Sequence, residues 1–456
     1  MRLAELAGKR VAIWGYGREG RAALNLLRQR FPQQRFTLLC TSAEAAAAHA
    51  LADANLDVLV HAAESNALLQ FEVMIKSPGI SPYQPAVHDA LEAGVRFTSG
   101  SAIWFAENPH ARTICITGTK GKSTVSALIA HLLRSAGKTV ALAGNIGLPL
   151  LELMDVKTSI DWWVIELSSF QTRDAQAVPD VLLVNNLYPE HLDWHGSIET
   201  YYADKLALAA RAKHLVIGAQ QPELAAYCDQ HPARTFFGTS SGWHVTDAAI
   251  WRGDKRVFDL SASPLPGAHN AQNLCAAFAM LEAAGEDAVT FAPFIASFQP
   301  LPHRLQTLGV RDGITYVNDS IATTPYATLE ALHSFPARAV TLLVGGFDRG
   351  VSWEDFALHM QVAPPHTIIT MGANGARIAA SLRAHAVTCE IVETVTLEAV
   401  IAVAKTRTPV DGVVLLSPGA PSFDQFRDYA ERGREFARLA GFDPQLISGI
   451  AGLGIA

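Results

Sequence analysis

Gly118-Thr119-Lys120-Gly121-Lys122-Ser123-Thr124 sets two glycines, two lysines and three hydroxyls in one short stretch. The apolar run before it, Thr113 to Ile116, reads as a buried strand, and Ser123 to Ser135 carries the apolar spacing of a helix. A strand, a glycine-rich turn and a helix start bring backbone N–H groups and the positive end of a helix dipole to one point. Lys122 adds a point charge for β- and γ-phosphates, and Ser123 offers a hydroxyl to Mg²⁺. Glycine is needed because a Cβ would hold phosphate oxygens away from the backbone. The loop is shorter than the usual P-loop, since Ile116 stands where that pattern has its first glycine. The chemistry it predicts is binding of a nucleoside triphosphate.

Three further clusters follow apolar strand patterns, at the strand ends where open α/β sheets bind ligands. They are Gly144-Asn145-Ile146-Gly147, then Glu166-Leu167-Ser168-Ser169-Phe170-Gln171, then Glu190-His191-Leu192-Asp193. Glu166 is suited to hold the nucleotide's magnesium directly or through water. His191 could be a ligand near the metal, a phosphate donor, or an exposed loop histidine. Lys205 falls in the amphipathic stretch Tyr201-Tyr202-Ala203-Asp204-Lys205, where a lysine is usually a solvated helix residue.

The elements that must position these groups alternate between strand and helix patterns, which predicts an α/β protein with mostly parallel sheets. Residues 1–100 read as a Rossmann-like unit. It has a strand at Arg10–Trp14, the turn Gly15-Tyr16-Gly17-Arg18-Glu19-Gly20, a helix at Arg21–Arg30 and a strand at Phe36–Cys40. The turn fits a dinucleotide fingerprint, but an NAD site wants an acid closing the second strand, and Cys40-Thr41-Ser42 stands there. A polar turn, Lys76-Ser77-Pro78-Gly79-Ile80, follows a strand expected at Phe71–Ile75. It is either a second ligand-facing turn or a plain type II turn. Residues 101–299 form the central unit, P-loop ATPase-like, with short antiparallel strands between Trp243 and Leu265 and a helix at Ala268–Ala284. Residues 300–456 form a third, Rossmann-like unit, entered through a stiff Pro300-Leu301-Pro302-His303-Arg304 hinge.

Of 456 residues, 49% are hydrophobic and 17% charged, enough apolar material for large cores. A net charge of −7 with no basic face argues against a nucleic-acid partner. No apolar run is long enough to span a bilayer, so no membrane insertion is expected. The five scattered cysteines suit a reducing cytoplasm. A monomer is expected.

Taken together, the P-loop, Gly144–Gly147, Glu166–Gln171 and Glu190-His191 strings resemble those of the Mur ligases, ATP-dependent amide-forming enzymes of peptidoglycan precursor synthesis. Gly267-Ala268-His269-Asn270, Asn273, Leu301–Arg304, Asn318-Asp319-Ser320, Leu416–Phe426 and Arg432-Gly433 extend the resemblance along almost the whole chain. Within the family the strings are most similar to the branch that adds glutamate to UDP-N-acetylmuramoyl-L-alanine. The resemblance implies ATP and two Mg²⁺ ions as cofactors, with that UDP-linked substrate and glutamate as small-molecule partners. It implies that Gly118 through Thr124 bind ATP, with Asn270, Arg304 and Asp319 gripping adenine and ribose. Gly17, Arg18, Thr41, Ser42, Ser77, Gly79, Asn145 and His191 are implied contacts of the UDP substrate. Ser123, Glu166, His191 and Lys205 are the implied metal-side groups, with Lys205 carbamylated, and Lys122, His191 and Lys205 the catalytic set. The implied reaction passes the γ-phosphoryl of ATP to the alanyl carboxylate, and the glutamate amine then displaces phosphate. Closure of the C-terminal domain would keep water from the acyl phosphate.

Departures from the family pattern gather where glutamate is implied to bind, near Thr323, Arg349, Ser422 and Tyr429. Ile321 stands where a lysine is common, Arg349 replaces another lysine, and Pro325 and Pro421 flank the two loops. The ATP and UDP strings are hardly altered. That asymmetry leads to the expectation that the glutamate added is the L enantiomer, since the other hand needs its cations moved rather than resized. A D-glutamate ligase with drift in the pocket, and a scaffold that has lost catalysis, are the alternatives.

Overall fold

Continuous apolar runs without alternation form strands buried on both faces, as parallel sheets covered by helices require. Val11–Trp14 (β1), Phe36–Cys40 (β2), Leu56–Val60 (β3), Val73–Lys76 (β4) and Arg96–Thr98 (β5) make the first sheet. Its order is β3-β2-β1-β4-β5, and every pairing is parallel. Thr113–Thr117 (β6), Val140–Gly144 (β7), Trp162–Glu166 (β8), Val181–Val184 (β9), His214–Gly218 (β10) and Arg234–Phe237 (β11) make the second. Here the order is β11-β10-β9-β6-β8-β7, again parallel, and the C-terminal strand Gly454–Ile455 adds antiparallel to β7. Trp243–Thr246 (β12), Ala249–Arg252 (β13) and Lys255–Asp259 (β14) form the expected antiparallel meander. Trp243 anchors it by stacking on Phe278 with ring centroids 4.6 Å apart.

This computed structural model describes residues 1–60, 65–445, 449–450 and 452–456. They fall into two compact units. One comprises Met1–Ser261, Gln272–Ile295 and Gly452–Ala456, and the other Ala262–Ala271 and Ala296–Ala451. The second unit carries its own sheet: Gln306–Arg311 (β15), Ile314–Asn318 (β16), Val340–Gly345 (β17), Thr367–Met371 (β18), Glu390–Glu393 (β19) and Val413–Leu416 (β20). The order is β15-β16-β20-β17-β18-β19, parallel except for β15.

The α/β class with parallel sheets is therefore as read, and the differences are at element ends. The first helix begins at Arg18, not Arg21, because Gly17 is its N-cap and the fingerprint turn is shorter than expected. The strand expected at Phe71–Ile75 runs Val73–Lys76, which carries a lysine into the core. The amphipathic stretch around Tyr201 forms the Ile198–Lys205 helix, which stops at Lys205 ahead of a separate 3₁₀ turn at Ala209–Arg211. Pro325, which flanks one of the two departing loops, is itself helical. It takes the first position of the Pro325–Leu332 helix, behind an N-cap Thr324 whose hydroxyl accepts from Ala327 N, and proline is tolerated there because that N–H has no helical partner.

Topology explains why the sequence clusters converge. In the second sheet β6 lies between β8 and β9, so its C-terminal end faces the ends carrying Glu166 and Asn185. In the first sheet β1 lies between β2 and β4, and the turns after β1 and β4 flank one crevice. Ligands bind at such reversals of strand order.

Candidate functional site

Gly118 and Gly121 have φ of 137° and 82°, left-handed values that disfavour any side chain. Space also forbids one: a Cβ on Gly121 would lie 2.5 Å from both Asn185 Nδ2 and Asn273 Oδ1. The loop is clamped from outside. Asn186 Oδ1 accepts from Thr119 N at 3.1 Å and Lys120 N at 2.7 Å, and Thr119 Oγ1 is 2.8 Å from Tyr201 Oη. The helix starts at Lys122, so Ser123 and Thr124 lie in its first turn, where backbone amides point outward. Lys122 Nζ donates back to Gly118 O and Thr119 O at 2.9 and 3.0 Å. Lys120 Nζ pairs with Glu190 at 2.7 Å.

Lys205 is the largest surprise against its local pattern. It is 2% exposed, not solvated, and its Nζ donates to Gly118 O at 2.9 Å. Burial, reinforced by the charge of Lys122, holds this amine well below the usual lysine range. Glu166 is also buried; Asn145 Nδ2 donates to its Oε1 at 2.7 Å, and among the described residues no group bonds Oε2. His191 adopts φ 56° beside them, half exposed, with Nε2 3.7 Å from Glu190 Oε2. Burial lowers its pKa, which favours the neutral, ligating imidazole.

These groups fit a magnesium–nucleotide complex. Mg²⁺ takes one or two carboxylates, keeps waters and shares phosphate oxygens rather than filling an all-protein cage. Among the described residues no group of three or more His, Cys, Asp or Glu gathers around a common point. One buried carboxylate with an uncommitted oxygen, beside a helix N-terminus, matches that need.

Gly17, Arg18, Thr41, Ser77, Gly79 and Asn145 line one cavity of about 670 Å³, which Phe170 and Gln171 close. That volume is in the range of a nucleotide or drug-sized ligand. Ser42 and His191 do not line the cavity: Ser42 opens the Ser42–His49 helix directly after Thr41, and His191 packs against the lining residue Phe170, with ring centroids 5.1 Å apart. The acid missing from the end of β2 appears nearby as Glu44, but it is committed. It completes the capping box at Thr41 and accepts Tyr16 N at 3.0 Å. Sequence reasoning passed over Glu19, whose carboxyl faces this cavity and accepts from Gln171 Nε2 at 3.1 Å; burial raises its pKa to about 7. It also passed over Lys76, buried and paired with Asp174 at 3.0 Å behind the Ser77–Ile80 turn. No local pattern marks either, because each owes its burial to a distant segment.

The remaining candidates lie in the second unit. Arg349 Nη2 donates to Thr323 O at 3.3 Å, so these two expected glutamate contacts do meet. Arg432, 1% exposed, organises their surroundings: it donates to Ser320 Oγ and O and to Ala420 O and Pro421 O. One guanidinium thus ties together the two loops that depart from the family pattern, next to the buried Ser422. Tyr429 is half exposed and its carbonyl accepts from Ser320 Oγ at 2.8 Å. Asp319 accepts from Ser417 Oγ and Leu305 N, and burial raises its pKa to about 7. Asn270 is buried with Nδ2 2.6 Å from Pro266 O, whereas Arg304 is exposed.

A Mur ligase middle domain matches residues 116–281, the span from the P-loop strand into the alanine-rich helix. The chain belongs to the Mur ligase family. It is similar to the UDP-N-acetylmuramoyl-L-alanine–L-glutamate ligase of Xylella fastidiosa, with 50% identity over 100% of both chains. The ligase of the same name from a Micromonospora species is 39% identical, over 96% of this chain and 97% of its own. Among solved structures, UDP-N-acetylmuramate-alanine ligase MurC from Thermotoga maritima shares the fold, with a TM-score of 0.59 at 17% identity, covering 94% of this chain and 98% of that one.

Proposed function

We propose that this chain is an ATP-dependent ligase that joins L-glutamate to UDP-N-acetylmuramoyl-L-alanine in peptidoglycan precursor synthesis. The observation that carries the reading is the meeting of Lys122, Lys205 and Glu166 at a P-loop within the same unit as the 670 Å³ cavity. Full-length likeness to ligases named for L-glutamate supports the choice of substrates and of enantiomer. In this reading residues 1–100 bind the UDP substrate, 101–299 bind ATP, and 300–456 take the amino acid and the base and ribose of ATP.

A carboxylate is a poor electrophile, and phosphorylation gives it a leaving group. The γ-phosphoryl of ATP passes to the alanyl carboxylate, and the glutamate amine then attacks the acyl phosphate. Lys122 and the helix N-terminus neutralise charge on the transferring group, a form of stabilisation already in place before the reaction begins. Ser123 and Glu166, with His191 alongside, would hold a magnesium ion, which would supply further positive charge when bound. An ammonium at Lys205 would repel a cation. Burial favours the uncharged amine, which is the form that adds CO₂, and loss of a proton then leaves a carbamate whose oxygens can serve as ligands. Cytoplasm is the compartment where ATP and a UDP-linked precursor meet, and a monomer suffices because each role falls within one chain.

The test is phosphate release from ATP with UDP-N-acetylmuramoyl-L-alanine and either glutamate enantiomer. Release with L-glutamate at a kcat/KM at least 100-fold above that with D-glutamate is expected. A preference for D-glutamate overturns the enantiomer, and no release with either overturns the ligase.

A further inference from the structure

Ser169, His195, Asp204 and Tyr83 form a hydrogen-bonded chain that none of the roles above uses. Ser169 Oγ lies 3.0 Å from His195 Nε2, and His195 Nδ1 lies 2.8 Å from Asp204 Oδ2. Tyr83 Oη donates to the same carboxylate at 2.8 and 2.7 Å, and Arg173 Nε stands 3.6 Å away. The carboxylate accepts from Nδ1, so Nδ1 carries the ring hydrogen and Nε2 accepts from the serine hydroxyl.

Serine, histidine and aspartate in this order are the parts of a hydrolytic triad. That use is closed here, because Ser169 and His195 are each 2% exposed and no ester or amide can reach the hydroxyl. The placement of the chain points elsewhere. Ser169 opens the helix in the turn that follows Glu166, and Asp204 immediately precedes Lys205 at the end of the Ile198–Lys205 helix. Thr172 Oγ1 makes the same connection a second time, donating to Asp204 O at 2.7 Å. On the other side Tyr83 follows the Ser77–Ile80 turn of the cavity, and Ser81 Oγ donates to Trp194 O at 2.6 Å. A helix of eight residues ending on its working lysine is marginal by itself and frays from that end.

We propose that Ser169, His195 and Asp204 are positioning residues that pin the last turn of this helix to the Glu166 turn, so that the Lys205 head group is aimed at Gly118. The idea rests on the role given to Lys205 above. Groups that orient a metal-side ligand are typically worth about 10- to 100-fold in metal affinity or activity.

Three variants of the full chain separate a hydrogen-bonding role from a packing one. His195→Ala should lower kcat about 10- to 100-fold and raise the half-activating Mg²⁺ concentration by about 10-fold, with KM for the UDP substrate within about 3-fold. His195→Asn keeps an N–H donor close to where Nδ1 lies and should restore most of the loss. His195→Leu fills the space without a donor, and should restore the melting temperature but not kcat. Calorimetry of Mn²⁺ binding with ADP gives a readout independent of turnover, and the same ranking is expected there. A leucine variant that recovers as fully as asparagine, or a folded alanine variant with unchanged kcat and Mn²⁺ affinity, overturns the proposal. If His195→Ala fails to fold, Tyr83→Phe removes one donor from the same carboxylate. A several-fold fall in kcat with a raised Mg²⁺ requirement is then expected, and no change in either overturns the proposal. Wild-type protein inert toward both glutamate enantiomers overturns the ligase reading alone, because the Mn²⁺ ranking still tests the chain.

Discussion

The phosphate cradle of the first unit and the expected glutamate loops of the second are built on opposite terms. Around Gly118–Ser123 nearly every group is already committed: asparagines clamp the loop, Lys205 is sealed against Gly118 O, and the glycines have no room for a Cβ. Around Thr323 and Arg349 the frame is buried, through Arg432 and Gly346, but Phe347, Asp348 and Arg349 are exposed. The contrast follows from what each must do. Charge that moves during phosphoryl transfer is stabilised best by dipoles and cations that need not reorganise. An amino acid that must enter and leave is better met by side chains that still have freedom, on a backbone that does not.

If that contrast is right, changes in the first unit act on turnover and changes in the second on amino-acid affinity. The largest effect is expected for Lys122→Ala. It should lower kcat by about 10³-fold or more while the melting curve stays near wild type, since the lysine's partners are loop carbonyls. Near wild-type turnover by phosphate release would remove the cradle from the mechanism. Next is Gly121→Ala, which meets both a left-handed φ and two amide side chains. A loss of about 1–3 kcal/mol in chemical unfolding, with weakened ATP binding, is expected, and an unaffected midpoint would mean the loop is less constrained than its geometry says.

Arg349→Ala should raise KM for glutamate about 10- to 100-fold and leave KM for ATP unchanged, as loss of a charge-assisted contact in a binding step predicts. If ATP affinity falls instead, the contrast between the two regions fails. The smallest effect concerns Asp319. Burial raises its carboxyl pKa to about 7 in the folded chain, against the ordinary 3.8 of an exposed aspartate. Between those values the folded state holds a proton that the unfolded state has released, so stability declines as pH rises from about 4 to about 7 and is level above. Asp319→Asn should flatten that part of the curve of urea midpoint against pH, and an unchanged slope would reject the assignment.

The legible and illegible parts of this chain divide along a physical line. β2 runs as read, Phe36–Cys40, because a strand buried on both faces shows as an unbroken apolar run. The P-loop was legible for a similar reason: its chemistry needs contiguous residues, so spacing records it. Element ends were less so. Gly17 as an N-cap and Lys76 as the last residue of a strand depend on contacts with segments far along the chain.

What the sequence determined by itself is local: the alternation of strand and helix, the glycine turns that admit phosphate, and the order of the strings shared with the Mur ligases. Tertiary structure decided whether each polar residue works or merely solvates a surface. Lys205 has the local pattern of an exposed helix lysine and becomes a buried amine only because β6 lies between β8 and β9 and brings Gly118 O over it. Ser169, His195 and Asp204 are unremarkable in their separate strings and meet only through the packing of the Ser169–Ala175, Leu192–His195 and Ile198–Lys205 segments. Burial and ionisation are set by what surrounds a group in space, and for these residues the surroundings come from distant parts of the chain.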